Sequence, residues 1–221
     1  MKFSNIEVSE SRYVIDGQEY VRLSEAFDIL PSQWLERWKK KVGEEEAERI
    51  MTEAADWGTL VHLVCEMEDR KDYESVDRLL NLYPDLIPFW VAWRNWVEKY
   101  VECWILIEQV VKDDKLGVAG RIDRTGIIKG DDKPSIVDIK TGTVSAETGI
   151  RLAGYKLMHN QIGKNKKKWV DRTIAVNMPR KEPGELKVIE FESESLYKPL
   201  GITFTKAFAE LASDYRTLFL S

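Results

Sequence analysis

A change of hydrophobic period near Glu102 constrains this chain more than any other feature. Before it, apolar residues recur at helical spacing. From Glu44 to about Arg70 the residues Ala47, Ile50, Met51, Ala54, Leu60, Val61, Val64, Cys65 and Met67 follow that spacing, and Gly58 is a break or a close-packing point, so two consecutive helices are expected. Tyr73 to Tyr100 repeats the pattern, divided by Pro84 and Pro88, with Trp90, Trp93 and Trp96 near one face as core. After Glu102, CWILIEQVV, KLGVAGRIDRTGII and PSIVDIK are β-rich runs separated by the turn clusters KDD and KGDDK, which predicts three neighbouring strands.

The flanks fill in the rest. RYVI-DG-QEYVR, residues 12–22, reads as a β-hairpin turning at Asp16-Gly17. Ser32 is suited to cap a helix running to about Lys41, which Gly43 ends. Downstream, Ala146 to Gly163 predicts a helix, Arg172 to Met178 and Leu186 to Phe191 predict strands, and Ser195 to Leu218 predicts a closing helix. The fold class is therefore α/β or mixed α+β, with residues 1–100 a hairpin and helical half and residues 101–221 a sheet core, all within one expected domain of 221 residues.

Composition enters as a filter. Hydrophobic residues at 43% and charged residues at 32%, spread throughout, exclude a disordered chain. A net charge of −5 lacks the overall basic character of a nucleic-acid binder, so any such contact must be local. Cys65 and Cys103 are too few for a four-cysteine cluster; both read as buried free thiols, and no iron–sulfur cluster is expected. Neither a signal-peptide core nor an apolar run of membrane-spanning length is present, and a cytoplasmic protein is expected.

Chemistry concentrates in Ile136-Val137-Asp138-Ile139-Lys140-Thr141-Gly142. Residues two apart on a strand share a face, so Asp138 and Lys140 project together while Val137 and Ile139 enter the opposite, buried face. The preceding strand carries Gly120-Arg121-Ile122-Asp123, whose carboxylate pairing could bring beside Asp138. Two converging carboxylates suit Mg²⁺, and Lys140 suits the attacking water or the phosphate of a phosphodiester. Spacing alone also fits an exposed ion pair at a strand end.

The order of motifs from about Val21 to Tyr155 resembles the RecB-like exonucleases of the PD-(D/E)XK superfamily, including phage and recombination-associated members. WGTLVHLVCE, residues 57–66, is similar to the first motif, VAGRID to the second and IVDIKTG to the third. The resemblance implies a restriction-endonuclease-like core, a central mixed sheet flanked by helices. It also implies a metal-dependent DNA exonuclease whose one or two Mg²⁺ or Mn²⁺ ions are held by His62, Asp123, Asp138 and the Ile139 carbonyl, with Glu108 as a further acid and Lys140 as the catalytic ammonium.

Glu66, one turn past His62, is either a supporting residue behind the ligands or an exposed helix acid; His62 itself would by default be a packing histidine. The last family motif places Gln four residues before Tyr, whereas here Arg151 precedes Tyr155. Arg121, Arg124, Arg151 and Tyr155 are the expected DNA contacts near the site. Lys166 and Lys167, in the cluster KNKKK, are either phosphate contacts or part of a solvated loop. The implied partners are DNA and a recombination or single-strand-annealing protein. Arg151 keeps open an alternative, a nuclease-fold DNA-binding module without cleavage. A small-molecule phosphohydrolase lacks support, because no phosphate-cradling Gly-rich loop of the P-loop type occurs.

Overall fold

The computed structural model describes residues 6–8, 12–25, 33–162, 169–192, 196–197 and 202–219. Strand β1 (Ile6–Val8) pairs with β2 (Arg12–Ile15), which turns into β3 (Gln18–Arg22) through Asp16 and Gly17 at φ 51 and 82, the left-handed backbone that a two-residue hairpin turn demands. Helix α1 (Gln33–Val42) ends at Gly43, whose φ of 91 suits a residue without a side chain.

One helix, α2 (Glu44–Asp69), replaces the two expected after Gly43. Gly58 does not break it, and a Cβ there would meet Thr141 Oγ1 at 3.4 Å, an ordinary contact, so no close approach demands the glycine. Helix α3 (Tyr73–Leu82) is capped by Asp72, whose side chain accepts from the Ser75 amide. A 3-10 turn, Pro84–Leu86, separates it from α4 (Ile87–Tyr100). Pro88 sits in the first turn of α4, where its missing N–H sacrifices no helical bond, and so it does not divide the helix.

The expected strands follow as β4 (Val101–Asp113), β5 (Val118–Ile128) and β6 (Ser135–Lys140). Then come α5 (Ala146–Ile162), β7 (Arg172–Asn177), β8 (Lys187–Phe191), the short pair β9 (Leu196–Tyr197) and β10 (Ile202–Thr203), and α6 (Phe204–Phe219). The closing helix thus starts later than its apolar spacing implied, after a small two-stranded pairing. The main sheet runs β1-β2-β3-β5-β6-β7-β8, with β4 antiparallel along β5. Pairings β3·β5 and β6·β7 are parallel and the others antiparallel, a mixed sheet as expected.

Both faces of the sheet are covered. Val137, Ile139, Ile174 and Val176 pack against Val61, Val64, Phe89, Trp93 and Trp96 of α2 and α4. Ile136 and Ala175 pack with Ile150, Leu152 and Met158 of α5 and Phe208 of α6. Covering on two sides explains why β6 is buried from Ser135 to Ile139 and reads as a nearly continuous apolar run.

Of the two thiols expected inside, Cys65 is buried and Cys103 is exposed, because the β4·β5 register slips between Val101 and Cys103. Among the described residues no helix is long and apolar enough to cross a membrane.

Candidate active site

Strand β5 is paired along one edge by β4, so β3 and β6 share its other edge, at residues 118–119 and 124–126 respectively. Between those stretches β3 and β6 diverge and the ladder opens. Asp123 enters the opening, and its carboxylate accepts a hydrogen bond from the Ile139 amide at 2.8 Å, in place of a backbone carbonyl. At the same opening Gly120 makes room for α5: a Cβ there would lie 2.7 Å from the Tyr155 ring.

Asp138 and Lys140 project together from β6, as the period of two requires, and form an ion pair. The Asp138 side chain is 5% exposed and that of Lys140 23%, so the ammonium reaches solvent while the carboxylate does not. Burial, and after it the Asp123 charge, push the Asp138 carboxyl above its ordinary range against the lowering effect of Lys140.

His62 enters from α2. Its Nε2 lies 3.0 Å from the Ile139 carbonyl and its Nδ1 lies 3.5 Å from the Asp123 carboxylate. A carbonyl can only accept, so Nε2 is the donor in that contact, and the ring's other nitrogen faces Asp123. Glu108 arrives from β4 at φ 53, a left-handed conformation that costs a side-chain-bearing residue of order 1–3 kcal/mol. Ligand atoms of His62, Glu108 and Asp123 lie within 4.8 Å of one another. Burial and then the neighbouring Asp123 charge raise the Glu108 carboxyl.

One imidazole nitrogen and two carboxylates form a donor set fit for Mg²⁺ or Mn²⁺. Asp138 stands outside this trio, paired with Lys140. The Ile139 carbonyl, expected to face a metal, accepts from His62 and has the Lys140 Nζ at 3.4 Å. As a ligand it would have to exchange one of these partners.

The expected DNA contacts separate. Arg121 is exposed and its Nε lies 3.5 Å from Glu108. Arg151 and Tyr155 share a face of α5, as spacing of four predicts, and with Arg22, Ser24 and Arg121 they line a cleft of about 200 Å³. Burial, and then Asp138, raise the Tyr155 hydroxyl pKa. Lys166 and Lys167 lie outside the described residues.

Arg124 is a correction. Its side chain is fully buried, with Nε donating to Asp69 at 2.6 Å and Nη1 donating to Glu108 at 2.9 Å and to the Asp123 carbonyl at 2.8 Å. It faces carboxylates inside the protein rather than DNA. Glu66 pairs with Arg70 at 2.7 Å, one turn further along its own helix, and Arg70 also donates to the Ile107 carbonyl beside Glu108.

Asp69, absent from the expected set, is the fully buried partner of Arg124 and also accepts from the indoles of Trp93 and Trp104. A signal for it existed, because His62, Glu66 and Asp69 fall at i, i+4 and i+7 on one helical stripe.

Comparison with known proteins bears on the same stretch. Residues 31–217 match the family model described as the PD-(D/E)XK nuclease superfamily. No curated protein matches the sequence. Among solved structures the chain is similar to SSO0001, at 12% identity and a TM-score of 0.44, covering 98% of this chain and 80% of that one. It is also similar to a protein from Eubacterium rectale described as a candidate exonuclease, at 11% identity and a TM-score of 0.46, covering 91% of this chain and 80% of that one.

Proposed function

The chain belongs to the PD-(D/E)XK nuclease superfamily, and on that premise we propose that it is a divalent-metal-dependent deoxyribonuclease, acting as an exonuclease through the opening between β3, β5 and β6. The observation that carries this reading is the convergence of His62, Glu108 and Asp123 beside the Asp138–Lys140 pair. Two carboxylates and an imidazole turned towards one half-buried point offer a divalent cation a converging set of donors.

Asp123, Glu108 and the Nδ1 of His62 would hold Mg²⁺ or Mn²⁺, with Asp138 joining them if Lys140 turns to substrate. The ion would polarise the phosphodiester and make a bound water more acidic. Lys140, tethered by Asp138 yet open to solvent, is placed to orient the attacking water or to offset charge building on the phosphate. Arg121 and Arg151 line the adjoining cleft, where guanidinium groups suit phosphate oxygens. Arg151 thus supplies a fixed cation where the family pattern has a neutral amide.

The test is to incubate end-labelled linear and closed circular DNA with Mg²⁺ or Mn²⁺ and to read product sizes over time. Mononucleotides or short products from linear DNA with circles left intact are expected. Nicked or linearised circles would make the enzyme an endonuclease. No cleavage with either ion would leave a DNA-binding module in its place.

A further inference from the structure

We propose that Arg124, anchored by Asp69, is a positioning residue that presents the Glu108 carboxylate to the metal site. The inference rests on the metal reading above and assigns a task to a residue that touches neither solvent nor substrate.

The geometry behind it is a chain of charge-assisted bonds running from the helical layer to the opening. Asp69, at the last turn of α2, is held by the indole N–H groups of Trp93 at 3.1 Å and of Trp104 at 2.8 Å. Those two rings are stacked with centroids 5.9 Å apart, so the donors are fixed in relation to each other. Asp69 in turn fixes Arg124 through Nε at 2.6 Å. The Nη1 of Arg124 then reaches one oxygen of Glu108 and the backbone carbonyl of Asp123, two of the residues that converge on the site.

Glu108 needs such a hold. Its backbone sits at φ 53, a conformation that persists only where surroundings over-determine it. Its other oxygen lies near Arg121, whose side chain is 54% exposed and free to change partners when substrate arrives. The inner grip by Arg124 is therefore the permanent one. A lysine could replace the charge but not the fork, since one ammonium cannot span Asp69, Glu108 and the Asp123 carbonyl in the guanidinium's fixed directions. A purely structural ion pair would matter to folding alone; a positioning residue must also change what the site binds.

The experiment is a Mn²⁺ titration of the full chain without DNA, following free Mn²⁺ by electron paramagnetic resonance, in four proteins: wild type, Arg124→Lys, Glu108→Gln and the double variant. Arg124→Lys is expected to weaken Mn²⁺ binding by about 10- to 100-fold, the usual effect of removing a partner that orients a ligand. In the Glu108→Gln background the same change should alter affinity less than about twofold, because the residue it acts through is already gone. An unchanged affinity in Arg124→Lys, or an equal loss in both backgrounds, would overturn the inference while leaving the metal site standing. A wild type that binds no Mn²⁺ would remove the metal reading and this inference together. If Arg124→Lys does not fold, Trp104→Phe keeps an aromatic ring and removes only the bond to Asp69. It should weaken Mn²⁺ roughly two- to fivefold, and wild-type affinity in that variant would overturn the inference.

Discussion

Asp69–Arg124 and Asp138–Lys140 each set a buried carboxylate against a cation, and each involves a strand that frames the opening. The first pair is sealed: both side chains are wholly buried, and Asp69 accepts from two indoles and a guanidinium. The second is poised at a surface, with a flexible ammonium 23% exposed and a carboxylate whose cationic partner is that ammonium. A carboxylate saturated by rigid donors is support for its neighbours. One held by a single mobile ammonium at the solvent boundary can exchange that partner for a metal or release it to a phosphate.

The largest expected effect breaks the sealed pair. Asp69→Asn leaves the Arg124 charge buried without its main counterion and is expected to cost about 3–5 kcal/mol of stability, measured by urea unfolding of the metal-free protein. A loss below about 1 kcal/mol would mean that the two pairs differ less than their burial implies.

Next come the surface pair and turnover. Lys140→Ala is expected to lower the rate of DNA cleavage by about 10²- to 10³-fold, and Asp138→Asn by at least as much, with little change in unfolding midpoint. Loss of folding in place of loss of turnover would make this pair structural like the other.

A smaller effect sharpens the contrast through pH. Burial raises the Glu108 carboxyl, so the folded protein holds that proton more tightly than the unfolded chain does. Ionising Glu108 therefore costs stability, and the cost grows as pH rises from the ordinary carboxylate value through the raised one. Glu108→Gln should raise the metal-free melting temperature modestly at pH 7, and the advantage should vanish near pH 4. A variant less stable than wild type at pH 7 would show that the Arg124 bond outweighs the burial cost. The same substitution should weaken Mn²⁺ binding, so function and metal-free stability move in opposite directions at this residue.

Local rules made some of this legible from the residues alone. The strand period places Asp138 and Lys140 on one face and Val137 and Ile139 on the other, whatever surrounds them. Helix spacing likewise puts Arg151 beside Tyr155, and the change of period at Glu102 marks where helices give way to the sheet. Arg124 shows where such rules stop. The strand period sets it on the face opposite Arg121, yet nothing local names the carboxylate that receives it there.

What the sequence by itself determined, then, was the family pattern, the order of elements and the residues spaced two or four apart along one element, because short-range geometry depends only on backbone period. Tertiary structure alone decided that the face carrying Arg124 is sealed around an ion pair, since its partner Asp69 lies 55 positions away and is held by two tryptophans from different elements. It also decided that Glu108 joins His62 and Asp123, because the β4·β5 register sets Glu108 opposite Asp123 and α2 brings the imidazole to both. Long-range packing and local departures from regular pairing leave no periodic trace in the chain, and both are what shape this site.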